Sequence, residues 1–160
     1  GGRMQISTRC SVAIHCLIFI CEANRVGSAE SGVRVTSALL SESTGTNAVS
    51  IRNALGALKR AGLITVARGT GGAELAHTPK EITLLDIYQA VESTNLDDVI
   101  GIHESGNHTC PVARNIHDVL KDTYAPVAKA MSDSMREVTL ANMLADHRNR
   151  IGVKAQQLEQ

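Results

Sequence analysis

The sequence has almost no aromatic side chains, with one Phe, two Tyr and no Trp among its 160 residues. Proteins that grip single strands or unstacked RNA bases do so by stacking them on aromatic rings, which this chain almost lacks, so duplex DNA is the better-suited partner. It also lacks an excess of charge of either sign, 16 Lys+Arg standing against 16 Asp+Glu. Affinity for a polyanion would therefore come from the placement of charge and not from its total. A long apolar run is missing too. The stretch from Val12 to Ile20 is interrupted by His15 and Cys16 and followed by Glu22 and Arg25, well short of the ~20 residues that span a bilayer. It reads as a core helix, and no membrane association is expected. No secretory pattern precedes it, so a cytoplasmic location is expected; Gly1-Gly2-Arg3 ahead of Met4 reads as an appended remnant outside the fold.

The most informative absence is local. From Ser43 to Ala73 there is no Asp or Glu, while Arg52, Lys59, Arg60 and Arg68 all fall inside that window. In a chain of zero formal net charge, this is concentrated positive charge.

The window has a recognisable organisation. Thr36 can cap a short helix carrying Ala38, Leu39 and Leu40 that ends near Thr44-Gly45. A second helix, 47–61, follows and is closed by Gly62. Two helices joined by a glycine-containing turn form a helix-turn-helix, whose second member enters the major groove of duplex DNA. On it, Val49, Ala54, Leu55 and Leu58 are expected to face the core, leaving Asn47, Ser50, Arg52, Asn53 and Lys59 outside. Residues 63–68 are rich in β-branched side chains and 73–77 alternate, so they pair as a hairpin across Arg68-Gly69-Thr70-Gly71-Gly72. The hairpin is a wing.

Ahead of this unit, Ser7 or Thr8 can cap a helix in which Val12, Ala13, Cys16, Leu17 and Ile20 recur at helical spacing. Beyond it, Thr83 with Asp86 makes a capping-box-like start to a helix carrying Leu84, Ile87, Ala90 and Val91. A polar stretch, 93–109, reads as a loop, and long loops of this kind are functional or disordered. Val112, Ile116, Val119, Leu120, Val127, Met131, Met135 and Val138 then recur along a long amphipathic helix containing Pro126. Such a helix without internal partners invites dimerisation. The expected organisation is a DNA-binding head over 4–92, a sensor loop over 93–110, a dimerisation helix over 111–144 and a polar, fraying tail over 145–160. The fold class is mainly α: a winged helix-turn-helix head with a two-stranded wing and a long C-terminal dimerisation helix. No phosphate loop, nucleophile-and-base spacing or paired carboxylates point to an enzyme.

Several stretches together resemble the Rrf-type bacterial winged-helix transcription regulators. They are Leu58-Lys59-Arg60-Ala61-Gly62-Leu63 running into 68–76, then Pro79 and 82–92, and later Cys110-Pro111-Val112 and Val138-Thr139-Leu140-Ala141. That family includes an iron–sulfur-cluster regulator, a nitric-oxide-sensing repressor and a cysteine-metabolism repressor. The resemblance implies a homodimeric repressor with crossed long helices, placing two heads on a palindromic operator. Cluster-carrying members have three cysteines in the loop before the long helix. Here that loop supplies only Cys110, so no iron–sulfur cluster is expected.

The expected DNA-contacting set is Asn47, Ser50, Arg52 and Lys59 on the helix with Arg68, Thr70 and Gly71 at the wing. Arg52 can reach a guanine edge in bidentate fashion, Asn47 and Ser50 suit phosphate, and Arg68 suits phosphate or the minor groove. Cys110 precedes a proline at the first helical position, where free amides and the helix dipole favour a thiolate; it is the candidate redox sensor. Cys10 is its candidate partner, because in some members of the family this region approaches the sensor loop of the other subunit. Cys10, Cys16 and Cys21 lie on different faces of one helix and cannot bridge one another. His103, His108 and Cys110 with Glu104 have irregular spacing for a metal, and no metal site is expected.

Overall fold

The computed structural model describes residues 7–26, 34–67, 72–106 and 109–158, the side chains of 26 and 153–158 excepted. Helix α1 (Arg9–Val26) is the central element, packed against every layer of the head. Ala13, Cys16, Leu17 and Ile20 are fully buried on it, the three-and-four spacing that one helical face requires. No acidic residue lies in its first turn. The Cys10 amide instead donates to Glu92 Oε1 at 3.1 Å, so a carboxylate from elsewhere in the chain satisfies a free N–H at the positive end of α1.

Helix α2 (Ser37–Thr44) begins at Thr36, whose hydroxyl accepts from the Leu39 amide, and ends at Gly45 in the left-handed region at φ 69°. Helix α3 (Ala48–Arg60) follows, and its C-terminus is closed by two bonds. The Leu63 amide donates to the Leu58 carbonyl and the Gly62 amide to the Lys59 carbonyl, both at 3.0 Å. With Gly62 at φ 76°, this is a Schellman motif. It turns the chain directly into the wing, β1 (Ile64–Val66) and β2 (Ala73–Leu75), paired antiparallel with Ile64 opposite Leu75.

Helix α4 (Leu84–Val91) starts with the full capping box expected from Thr83 and Asp86. It buries Leu85 as well as Ile87, a residue the expected inward set omitted. The segment 93–109 is not a structureless loop. It contains a 3-10 turn, Leu96–Asp98, that buries Leu96 and packs against the next helix.

The C-terminal half differs from the expected 111–144 helix and polar tail. Helix α5 (Pro111–Glu137) runs through Pro126 but stops at Glu137, and a separate helix α6 (Leu140–Leu158) covers most of the stretch expected to fray. The break has a tertiary cause. Residues 138–140 form an antiparallel bridge with the start of α4: Leu84 donates to the Val138 carbonyl and Leu140 to the Ile82 carbonyl, each at 2.8 Å. Thr139 then caps α6 reciprocally with Asn142. Leu140 and Leu144 join the same buried cluster as α1, so the head does not end at residue 92 but is completed by α6.

Candidate nucleic-acid interface

The recognition unit is built by local chemistry. Asn47 caps α3, its Oδ1 accepting from the Ser50 amide at 2.9 Å. The Asn47 carbonyl oxygen is thereby committed to the helix, and its amide nitrogen is what remains to offer a phosphate. The Ser50 hydroxyl, Arg52, Asn53, Lys59 and Arg60 are exposed along α3. The opposite side is fixed by Ile51 and Leu58, both fully buried, with Leu55 packed against the same cluster.

Here one expected assignment is corrected. Val49, expected to face the core, is 61% exposed, and Ile51 takes its place. The reason is helical phase: Ile51, Leu55 and Leu58 are separated by four and three residues, whereas Val49 lies two residues from Ile51 and so about 200° around the helix.

The wing is pinned to the helix-turn-helix at its root. A Cβ on Gly72 would lie 2.8 Å from the Val35 amide nitrogen and 3.3 Å from its carbonyl oxygen, so only glycine permits this approach to the segment leading into α2. Arg68, Thr70 and Gly71, the expected wing contacts, lie outside the described residues, as does His108. Between the start of α1 and α3, a groove of about 950 Å³ is lined by Thr8, Arg9, Ser50, Asn53 and Arg60, among others. Hydroxyls, an amide and two guanidinium groups are the donors that hold a phosphodiester backbone. Arg60, named in the basic window but not among the expected contacts, joins this surface, and so does Arg9, which no local pattern reveals because it comes from α1.

The profile of the Rrf2 family, described as an iron-dependent transcriptional regulator, matches residues 6–146. This chain belongs to the Rrf2 family of transcriptional regulators. The candidate HTH-type transcriptional regulator YwnA of Bacillus subtilis strain 168 is 30% identical over 140 residues, covering 88% of this chain and 97% of that protein. Among solved structures, a candidate transcriptional regulator from Lactobacillus plantarum superposes with a TM-score of 0.74 at 23% identity, covering 97% of this chain and all of that one. The global cysteine regulator CymR of B. subtilis gives 0.62 at 17% identity over 89% of this chain and 98% of that one. These likenesses carry the winged-helix fold. The members of this family are transcriptional regulators and not enzymes.

The sensor residues come out unequally. Cys110 is the N-cap of α5, half-buried, with Pro111 at the first helical position and no side-chain cap bond. Cys10 lies half-buried in the first turn of α1. Burial pushes its thiol pKa up, and the neighbouring Glu92 carboxylate raises it further, which opposes the thiolate that redox chemistry needs. Cys16 and Cys21 are pushed up to about 11, mainly by burial. All four cysteines are free. Although the family's description names iron, no three His, Cys, Asp or Glu side chains converge among the described residues. Cys110 is the single cysteine of the 93–110 segment, so a three-thiolate cluster lacks its donor set there.

Proposed function

We propose that this protein is a cytoplasmic, homodimeric repressor that binds palindromic duplex DNA through α3 and the wing, under thiol or small-molecule control from the 93–110 segment. The observation that carries the reading is the exposed face of α3. Arg52, Asn53, Lys59 and Arg60 lie on it without an acidic neighbour on the helix, and the groove beside it is lined with phosphate-type donors.

Dimerisation is supported by α5. Val112, Val119 and Val127 are 68%, 55% and 44% exposed, an apolar stripe of the kind that marks an association surface. A second copy placed on this stripe holds two heads at a fixed spacing, and a signal that shifts α5 changes that spacing. Control is assigned to Cys110 at the N-cap of α5, with Cys10 as its candidate partner from the other subunit.

The test is binding to the duplex upstream of the protein's own gene at two salt concentrations, with wild-type and Arg52→Ala protein and with reduced and oxidised thiols. Steep salt dependence and a loss of about tenfold or more in Arg52→Ala are expected, with a dimer in sedimentation. Absence of salt-sensitive duplex binding overturns the reading in favour of a protein-interaction module, and indifference to oxidant moves the control to a small ligand.

A further inference from the structure

Val49 has no structural reason to be apolar. It lies in the first turn of α3, is 61% exposed, and belongs neither to the buried core nor to the residues packed against it. A β-branched side chain also lowers helix propensity at a position where packing returns nothing. Ala48 and Ser50 on either side show that small or polar residues are accommodated there.

Its position explains it. Arg52 and Asn53, three and four residues on, share its face of the helix, and both are exposed. Gly56, two turns further along the same line, carries no side chain, and the Arg60 guanidinium lies across it, 3.2 Å from where a Cβ would sit. Val49 is thus the apolar centre of an otherwise polar, acid-free face, placed at the N-terminal end of the helix, where helix-turn-helix proteins contact base edges. The major-groove edges of the four bases offer donors and acceptors throughout and one apolar group, the thymine C5 methyl.

We infer that Val49 reads a thymine methyl in each operator half-site, beside the base read by Arg52. The inference rests on the DNA-binding reading above and deepens it. Two aliphatic methyls against one thymine methyl exclude water and favour thymine over cytosine at that position, with no hydrogen bond involved.

The experiment starts by enriching random duplexes on the wild-type protein. Amplified DNA contains no methylcytosine, so thymine is its only source of a C5 methyl group. Each thymine of the enriched site is then replaced singly by deoxyuridine, which removes the methyl and nothing else. Binding is measured for wild-type and Val49→Ala protein, whose core is untouched because Val49 is exposed. One thymine per half-site is expected at which deoxyuridine weakens wild-type binding about threefold to tenfold, while Val49→Ala binds both duplexes equally. Enrichment without a methyl-sensitive position, or equal sensitivity in Val49→Ala, overturns the inference and leaves the regulator reading standing. Failure to enrich any duplex overturns both.

Discussion

Leu58 and Leu63 are joined twice, by the amide–carbonyl bond of 3.0 Å that ends α3 and by shared burial in the core. The common burial and the hydrogen bond reinforce each other across Gly62, which supplies the left-handed residue at φ 76°. Substituting Gly62→Ala places a Cβ in a conformation that disfavours it by about 1–2 kcal/mol. Thermal unfolding should show that loss. Gly45→Ala, at φ 69°, should show a loss of the same order, whereas a substitution at exposed Lys59 should leave stability within about 0.5 kcal/mol.

A different penalty applies at Gly72. Its backbone is unstrained, but the Val35 amide nitrogen stands 2.8 Å from the place of a Cβ. Gly72→Ala should force the wing off the segment before α2, lowering stability by about 1–3 kcal/mol as overpacking does. Duplex affinity should fall in parallel at temperatures where the protein stays folded. Unchanged stability would show that the wing root shifts without cost.

The Glu22–Arg148 pair ties α1 to α6 and gives acid unfolding a definite sign. Glu22, with a side chain 17% exposed, accepts from Arg148 Nε at 2.9 Å and from Arg25 Nη2 at 3.0 Å. Burial pushes its carboxyl up, but the bonds and charges of Arg148 and Arg25 outweigh this and hold it below its ordinary value. A carboxylate depressed in the folded state contributes stability that is present above the unfolded value and lost as pH falls through the folded one. At neutral pH Arg148→Ala should lose about 0.5–1 kcal/mol, its arginine being half exposed. The gap to wild type should close as pH drops below the ordinary carboxylate range. A gap that persists in acid would assign the loss to packing of the arginine stem.

Glu92 should control the reactivity of Cys10. After burial, its charge is what raises the thiol, while its Oε1 holds the Cys10 amide. Glu92→Gln keeps an acceptor at that site and removes the charge. Alkylation of Cys10 at mildly alkaline pH, followed by mass spectrometry, should become severalfold faster in the variant. An unchanged rate would mean that burial alone limits the thiol.

How much of this was legible in the sequence depended on whether its cause was local. The caps at Thr36 and Thr83 and the glycine stops at Gly45 and Gly62 are set by near neighbours in the chain, and each lies where the sequence indicates; Asn47, expected as the first residue of its helix, is instead the cap. The core face of α3 was misread although its signal was present: Ile51, Leu55 and Leu58 keep helical phase, and Val49 does not. The division of the C-terminal half into α5 and α6 was less accessible. Apolar spacing continues through Val138, and what stops the helix is backbone pairing with residues 82–84. The Glu92 cap on α1 and the groove shared by Arg9 and Arg60 likewise join positions that no local pattern connects. Of the expected contacts, Arg52 and Lys59 share one exposed side of α3, seven residues apart, while Ser50, two residues from Arg52, lies about 200° around the helix and lines the groove with Asn53, Arg60 and Arg9.

Thr83 gives the fold one more property. It caps α4 with its hydroxyl, and its backbone lies opposite Thr139 at the corner between α5 and α6. The amides of Leu84 and Leu140 are both held by this crossing, so neither becomes free to exchange with solvent unless the two segments part. The first turn of α4 and the corner at the end of α5 therefore form a single unit of opening, as segments sharing backbone bonds do. Helix α5 therefore meets the head twice, at this joint and along its own packing on α4 and the 3-10 turn.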